Sequence, residues 1–169
     1  MASIGHVAVG MLAGRLYTGR RAWAAMAGFS LLSLAPDLDV IGFRLGIPYD
    51  DPLGHRGASH ALFTALLLGF ALAAVAARRG APFRRMAVFA VAVLASHGLL
   101  DAATDGGLGA ALLWPFSDAR IFWPVTPLPV APIGRGMLSA RGLEVVCIET
   151  LWFAPLFYGA LRRTPPPSN

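Results

Sequence analysis

All four histidines of this chain, His6, His55, His60 and His97, stand close to carboxylates in a sequence where charge is scarce. The acids are Asp37 and Asp39 in A-P-D-L-D, Asp50 and Asp51 ahead of H-R-G-A-S-H, and Asp101 and Asp105 in H-x-x-x-D-x-x-x-D. Charged residues make up only 14% of the 169 positions, so this is a concentration and not a background. Imidazole and carboxylate are the usual ligands of zinc and related divalent ions. The chemistry they point to is the binding of a divalent ion, provided that the fold brings these groups to one place.

The spacing of the fragments is informative. In His97-x-x-x-Asp101-x-x-x-Asp105, steps of four on a helix keep one face with about 40° of drift. His97 and Asp101 then lie about 6 Å apart along the axis, within reach of one ion, whereas His97 and Asp105 lie about 12 Å apart. Asp105 therefore binds a second ion, supports the first from outside, or lies past a helix end brought on by the following Gly106-Gly107. Two-metal sites hold their ions about 3.5–4 Å apart, a separation that a bridging Asp101 would suit. Asp37 and Asp39, if extended, point the same way and ligate together. As a mere C-terminal pair they would oppose the helix dipole, which a cation would offset. In His55-Arg56-Gly57-Ala58-Ser59-His60, Ser59 reads as the N-cap of the following helix. Gly57 permits a tight turn that brings His55 and His60 together. Arg56 is suited to a phosphate or carboxylate, or pairs with Asp50 or Asp51.

The elements that must position these groups are apolar helices. The chain is 56% hydrophobic with a mean hydropathy of +0.62, more apolar than a soluble domain. Five apolar runs stand out, at 4–17, 22–35, 61–77, 86–100 and 143–161. A spanning helix needs about 20 residues, with about 17 as the lower limit, so the third and fifth qualify by length. The net charge of +5 comes from fourteen Arg and no Lys. Most arginines fall in pairs at the ends of apolar runs, as topology signals do, which argues against a nucleic-acid partner. Cys147 is alone and forms no internal disulfide. The start M-A-S-I-G-H lacks the basic region of a signal peptide, so no cleavage is expected.

Arg20-Arg21, Arg78-Arg79 with Arg84-Arg85, and Arg162-Arg163 mark the cytoplasmic ends by the positive-inside rule. Alternation then places His6, Asp37, Asp39, His60, His97 and Asp101 at the outer end of four different runs. The connection 106–142 also lies outside. Its dense prolines exclude a long regular helix, and Trp114, Phe116, Phe122 and Trp123 suit the headgroup layer. It reads equally as a loop resting on the membrane and as a lid or substrate wall over the polar cluster. The tail 162–169 reads as disordered.

The Gly5-His6 start, Pro36-Asp37-Leu38-Asp39, the H55-R56-G57-x-S59-H60 block and H97-x-x-x-D101, in this order over about residues 3 to 116, resemble the YdjM-type membrane-bound metal-dependent hydrolases. The resemblance implies a multi-helix inner-membrane protein with a His/Asp metal centre and hydrolase activity. H-x-x-x-D is more distantly similar to the all-helical zinc phospholipase C and P1 nuclease group, which implies phosphoester chemistry. That group's H-x-x-x-E pair has no match here, since Glu144 and Glu149 have no histidine at that spacing.

The sequence thus predicts an all-α, polytopic membrane bundle of four to five helices, one unit over 1–161. It predicts a metal-dependent hydrolase of the inner (plasma) membrane, acting on a lipid or amphiphilic ester, above all a phosphoester. The expected ligands are His6, Asp37, Asp39, His55, His60, His97 and Asp101, holding one or two divalent ions, zinc first and manganese second. Asp105 or Asp39 is the expected general base, and Arg56 the phosphate holder. The alternative is a non-catalytic metal-binding or transport protein, for which the intramembrane Glu149 would matter most.

Overall fold

The computed structural model describes residues 3–162. Five α-helices form the body: α1 Ser3–Thr18, α2 Trp23–Leu34, α3 Leu62–Ala77, α4 Phe83–Ala102 and α5 Ala140–Leu161. No strand occurs among the described residues, and two isolated bridges, Thr104 with Leu128 and Ala110 with Ile121, hold the long connection together. The all-α reading is correct. The residues after 162 lie outside the described part of the chain, and with them most of the tail.

Three helices are long and apolar enough to cross a bilayer: Trp23–Leu45, which is α2 with its continuation, and then α4 and α5. Here the length expectation needs correcting. The third run forms a helix of 16 residues, below the usual minimum. The second and fourth runs gain length because their polar ends are helical too. Pro36 has no N–H to offer the α2 ladder, and the chain tightens there into a 3-10 segment, Ala35–Leu45, closed by Gly46 at φ 79°. α4 takes in Arg84 and Arg85 at one end and Asp101 at the other.

The outward faces are apolar all round. Leu31, Leu67, Phe70, Val88, Leu151 and Trp152 are exposed, as expected for helices whose solvent is lipid. Such helices associate through close approach of small residues. A Cβ on Gly10 would lie 2.3 Å from Ser30 Cα, and one on Gly14 2.6 Å from the Ala25 carbonyl carbon, so α1 and α2 pack nearly backbone to backbone. α1 also packs on α5, and α4 packs on α1, α2 and α3. At the arginine-rich end, Arg85 donates to the Leu16 carbonyl at 3.2 Å and lies over the Tyr17 ring. The start of α1, the end of α2, the start of α3 and the end of α4 meet at the opposite end.

Candidate metal centre

Four ligand atoms converge there. His60 Nε2 and His97 Nε2 are 3.0 Å apart. Asp37 Oδ1 lies 3.6 Å from the first and 3.3 Å from the second. Asp101 Oδ2 lies 3.2 Å from His60 Nε2 and 3.9 Å from His97 Nε2. A tetrahedral zinc with ligands at about 2.0–2.1 Å has ligand–ligand edges of about 3.3–3.4 Å. The five distances bracket that value, so Asp37, His60, His97 and Asp101 fit one divalent ion.

The second nitrogen of each imidazole is fixed, as a ligand's must be. His97 Nδ1 lies 2.6 Å from the Ser33 carbonyl, which can only accept, so Nδ1 carries the proton and the Nε2 lone pair faces the site. His60 Nδ1 lies 3.2 Å from Asp39 Oδ2 and 2.9 Å from Ser59 Oγ. Burial disfavours the charged form of His60, but hydrogen bonds to Asp101, Asp37 and Asp39 outweigh it and push the group up to about 10. Without an ion, a proton on His60 holds the carboxylates together.

The two aspartates of A-P-D-L-D do not ligate side by side as an extended segment would allow. In the 3-10 segment, residues two apart point about 120° away from each other. Asp37 reaches the Nε2 side of His60 and Asp39 its Nδ1 side. Asp39 accepts from Ser59 Oγ at 2.6 Å and from the Arg56 backbone N–H at 3.1 Å, and its Oδ1 is 2.7 Å from His55 Nδ1. Asp39, His55 and His60 form a second ligand-rich group that shares His60 with the first. Ser59 is therefore not the N-cap expected of it. Ala61 occupies that position without a side-chain cap, and the Ser59 hydroxyl serves Asp39. The turn between His55 and His60 does bring their rings together, 5.5 Å between centroids.

His6 stacks on His97 at 3.8 Å and 14°. Both its ring nitrogens are buried without a hydrogen-bond partner, and Nε2 lies 3.6 Å from Asp101 Oδ1. Asp101 thus turns one oxygen to His60 and His97 and the other to His6. Arg56, at φ 62°, pairs with Asp101 rather than with Asp50 or Asp51: its Nε is 3.2 Å from Oδ2. Its Nη1 donates to Thr104 Oγ1 at 3.0 Å and the Gly106 carbonyl at 3.1 Å. Asp105 is not brought in. α4 stops at Ala102, and Asp105 accepts from the Val130 N–H at 2.6 Å.

Several supports had no sequence signal beyond their type. Gly98 leaves room for His60, since a Cβ there would lie 2.1 Å from the His60 carbonyl oxygen. Glu149 accepts from the Gly5 N–H at 3.2 Å, an orphan donor of the first turn of α1, and so anchors the helix that carries His6. Arg120 donates to the carbonyls of His55, Tyr49 and Asp51 and shapes the loop ahead of His60.

A cleft of about 360 Å³ opens onto the cluster, lined by Asp37, Tyr49, His55 and Arg56 on one side and by residues 130–134 and Met137 on the other. Asp37, 27% exposed, is the most accessible of the four convergent ligands. The proline-rich connection is thus a wall of the cleft, while its Phe116, Phe122 and Trp123 remain exposed.

The model of the YdjM inner membrane protein family matches residues 1–163. The chain belongs to this family. It is 37% identical over 125 residues to inner membrane protein YbcI of Escherichia coli (strain K12), covering 72% of each chain. No solved structure matches. Family membership, with three helices long and apolar enough to span, makes this YdjM-family chain an inner-membrane protein.

Proposed function

We propose that this protein is a metal-dependent hydrolase of a lipid or amphiphilic ester, foremost a phosphoester, with its site at the outer face of the inner membrane. The observation that carries the reading is the convergent set Asp37, His60, His97 and Asp101, with Asp37 opening on a cleft walled by apolar loop residues. A divalent ion, zinc first and manganese second, would supply Lewis-acid polarisation and a water acidified towards neutrality. His6 Nε2 and Asp101 Oδ1, 3.6 Å apart, would be the nearest donors to any second ion. Arginine pairs at the far end of the bundle support the outward orientation of the site.

The chain's own groups supply the rest. His55 lines the cleft, and the Asp39 carboxylate holds its Nδ1–H, which leaves Nε2 to accept a proton from water and return it to the leaving oxygen. Asp39 acts through His55 in this scheme, because its own oxygens are occupied by four donors. Asp105, pinned to Val130, stays outside the reacting groups. Arg56 holds Asp101 in register and presents the cleft with positive charge. Transport is less well supported, since Glu149, the group a conduction path would need, is engaged at the N-terminus of α1.

The test is release of phosphate-containing headgroup from phosphatidylglycerol micelles, and of nitrophenol from bis(p-nitrophenyl) phosphate, by metal-loaded protein. His55→Ala is expected to keep its metal and lose about 10²–10⁴ in rate. Absence of turnover on both substrates by the metal-loaded wild type would overturn the hydrolase reading.

A further inference from the structure

The backbones of α4 and α5 do not approach each other closely. Between them, on the floor of α1, runs an apolar groove. Its outer part, about 590 Å³, lies against Ser96, Leu99 and Leu100 of α4 and Trp152 and Phe153 of α5, and is roofed by the strap 123–128. Its inner part, about 270 Å³, continues between Phe89 and Val93 of α4 and Leu156 of α5. Val9 and Leu156 border both parts, so the two lie end to end along α4.

We propose that this groove holds an acyl chain of the lipid whose headgroup enters the cleft. Four observations commit the groove to that occupant. It lies between two spanning helices, where lipid chains are the surrounding solvent. From Ala103 to Phe89 it follows α4 for about 21 Å, enough for a chain that fills one leaflet of about 15 Å. Its walls carry almost no polar group, with Ser96 turned instead to the Val93 carbonyl at 2.7 Å. It also adjoins the site along the chain: Leu128 borders the groove, Val130 borders the cleft, and only Pro129 stands between them in sequence. The strap is fixed at this crossing, since the Leu128 N–H donates to the Ala103 carbonyl and the Leu128 carbonyl accepts from the Asp105 N–H. Trp123, whose backbone N–H donates to the Ala102 carbonyl at the end of α4, stands at the outer mouth, as ring systems at the headgroup boundary do. A lipid would straddle the strap, its head beside Asp37 and His55 and its tail against Leu99 and Leu156. The hydrolase reading supplies the chemistry at the head; binding of the tail is independent of turnover.

The experiment is native mass spectrometry of the delipidated, metal-loaded full chain with dioctanoyl, dilauroyl and dipalmitoyl phosphatidylglycerol. One retained lipid is expected, its affinity rising with chain length and levelling once the chain fills a leaflet. Ser96→Trp, which fills the groove, is expected to weaken dipalmitoyl binding at least about tenfold. Leu151→Trp, on the exposed face of α5, is expected to leave it unchanged. Metal content in the same spectra reports that each variant is folded, and the wild-type chain-length series stands without any variant. Equal retention of all three lipids, or dipalmitoyl binding untouched in a metal-bearing Ser96→Trp, would overturn the proposal, as would dimers without lipid. Groove-dependent binding without turnover would contradict the hydrolase reading and leave the groove standing.

Discussion

His60 joins both ligand-rich groups, with Nδ1 on Asp39 and Nε2 among Asp37, His97 and Asp101. Its raised affinity for protons has a consequence for metal binding. At about pH 7 the metal-free protein keeps His60 protonated, because the group titrates near 10. An ion needs the neutral imidazole and must displace that proton. Apparent zinc affinity is therefore expected to rise about tenfold per pH unit between about pH 7 and pH 9, with one proton released per site, measured by competition titration with a pH indicator. The stability effect has the opposite sign. The charged His60 network supports the metal-free fold fully below the ordinary histidine range near 6.5 and loses that support as pH rises through about 10. Thermal scans in detergent should show the metal-free protein weakening over that window. Arg56 is equally placed for a stability test. Arg56→Ala removes the guanidinium from the buried Asp101 carboxylate, and removing one partner of a buried pair costs about 3–5 kcal/mol, readable by denaturant unfolding.

At the scale of elements, the site depends on backbones that nearly touch. Gly98→Ala puts a methyl group against the His60 carbonyl oxygen. It is expected to lower metal content sharply, whereas Gly28→Ala, with open space around it, should bind metal as wild type does; metal analysis of the two purified variants decides. What the sequence made legible follows the same division. The His97–Asp101 pair was readable because four residues on a helix is a local rule; a break before Asp105 was one of three readings left open, and α4 ends earlier than the two glycines, at Ala102. The separate tasks of Asp37 and Asp39 were not, because Pro36 converts the helix end to a 3-10 segment rather than an extended one. Ser59 misled because an N-cap and a carboxylate partner require the same hydroxyl. The Arg56–Asp101 pair, the Ser33 carbonyl behind His97 and Glu149 behind Gly5 join residues far apart in sequence, for which residue type gives no distance.

For the whole molecule, a bundle of four to five helices and the gathering of histidines and aspartates at one end followed from hydropathy and alternation. The cleft did not, since its second wall comes from an irregular connection with no period to read. Orientation rests on the arginine pairs and is directly testable. In a Cys147→Ser background, Leu53→Cys beside the site should react with a membrane-impermeant maleimide on intact spheroplasts, and Arg79→Cys should react only after lysis. The claim on which everything else depends is that the cluster holds a divalent ion. It is tested most directly by elemental mass spectrometry of detergent-purified protein, wild type beside the His60→Ala, His97→Ala double variant. The account predicts at least one stoichiometric divalent ion in the wild type and none in the variant. A wild type that stays empty after reconstitution with zinc or manganese would contradict it and leave the cluster a hydrogen-bonded polar cap.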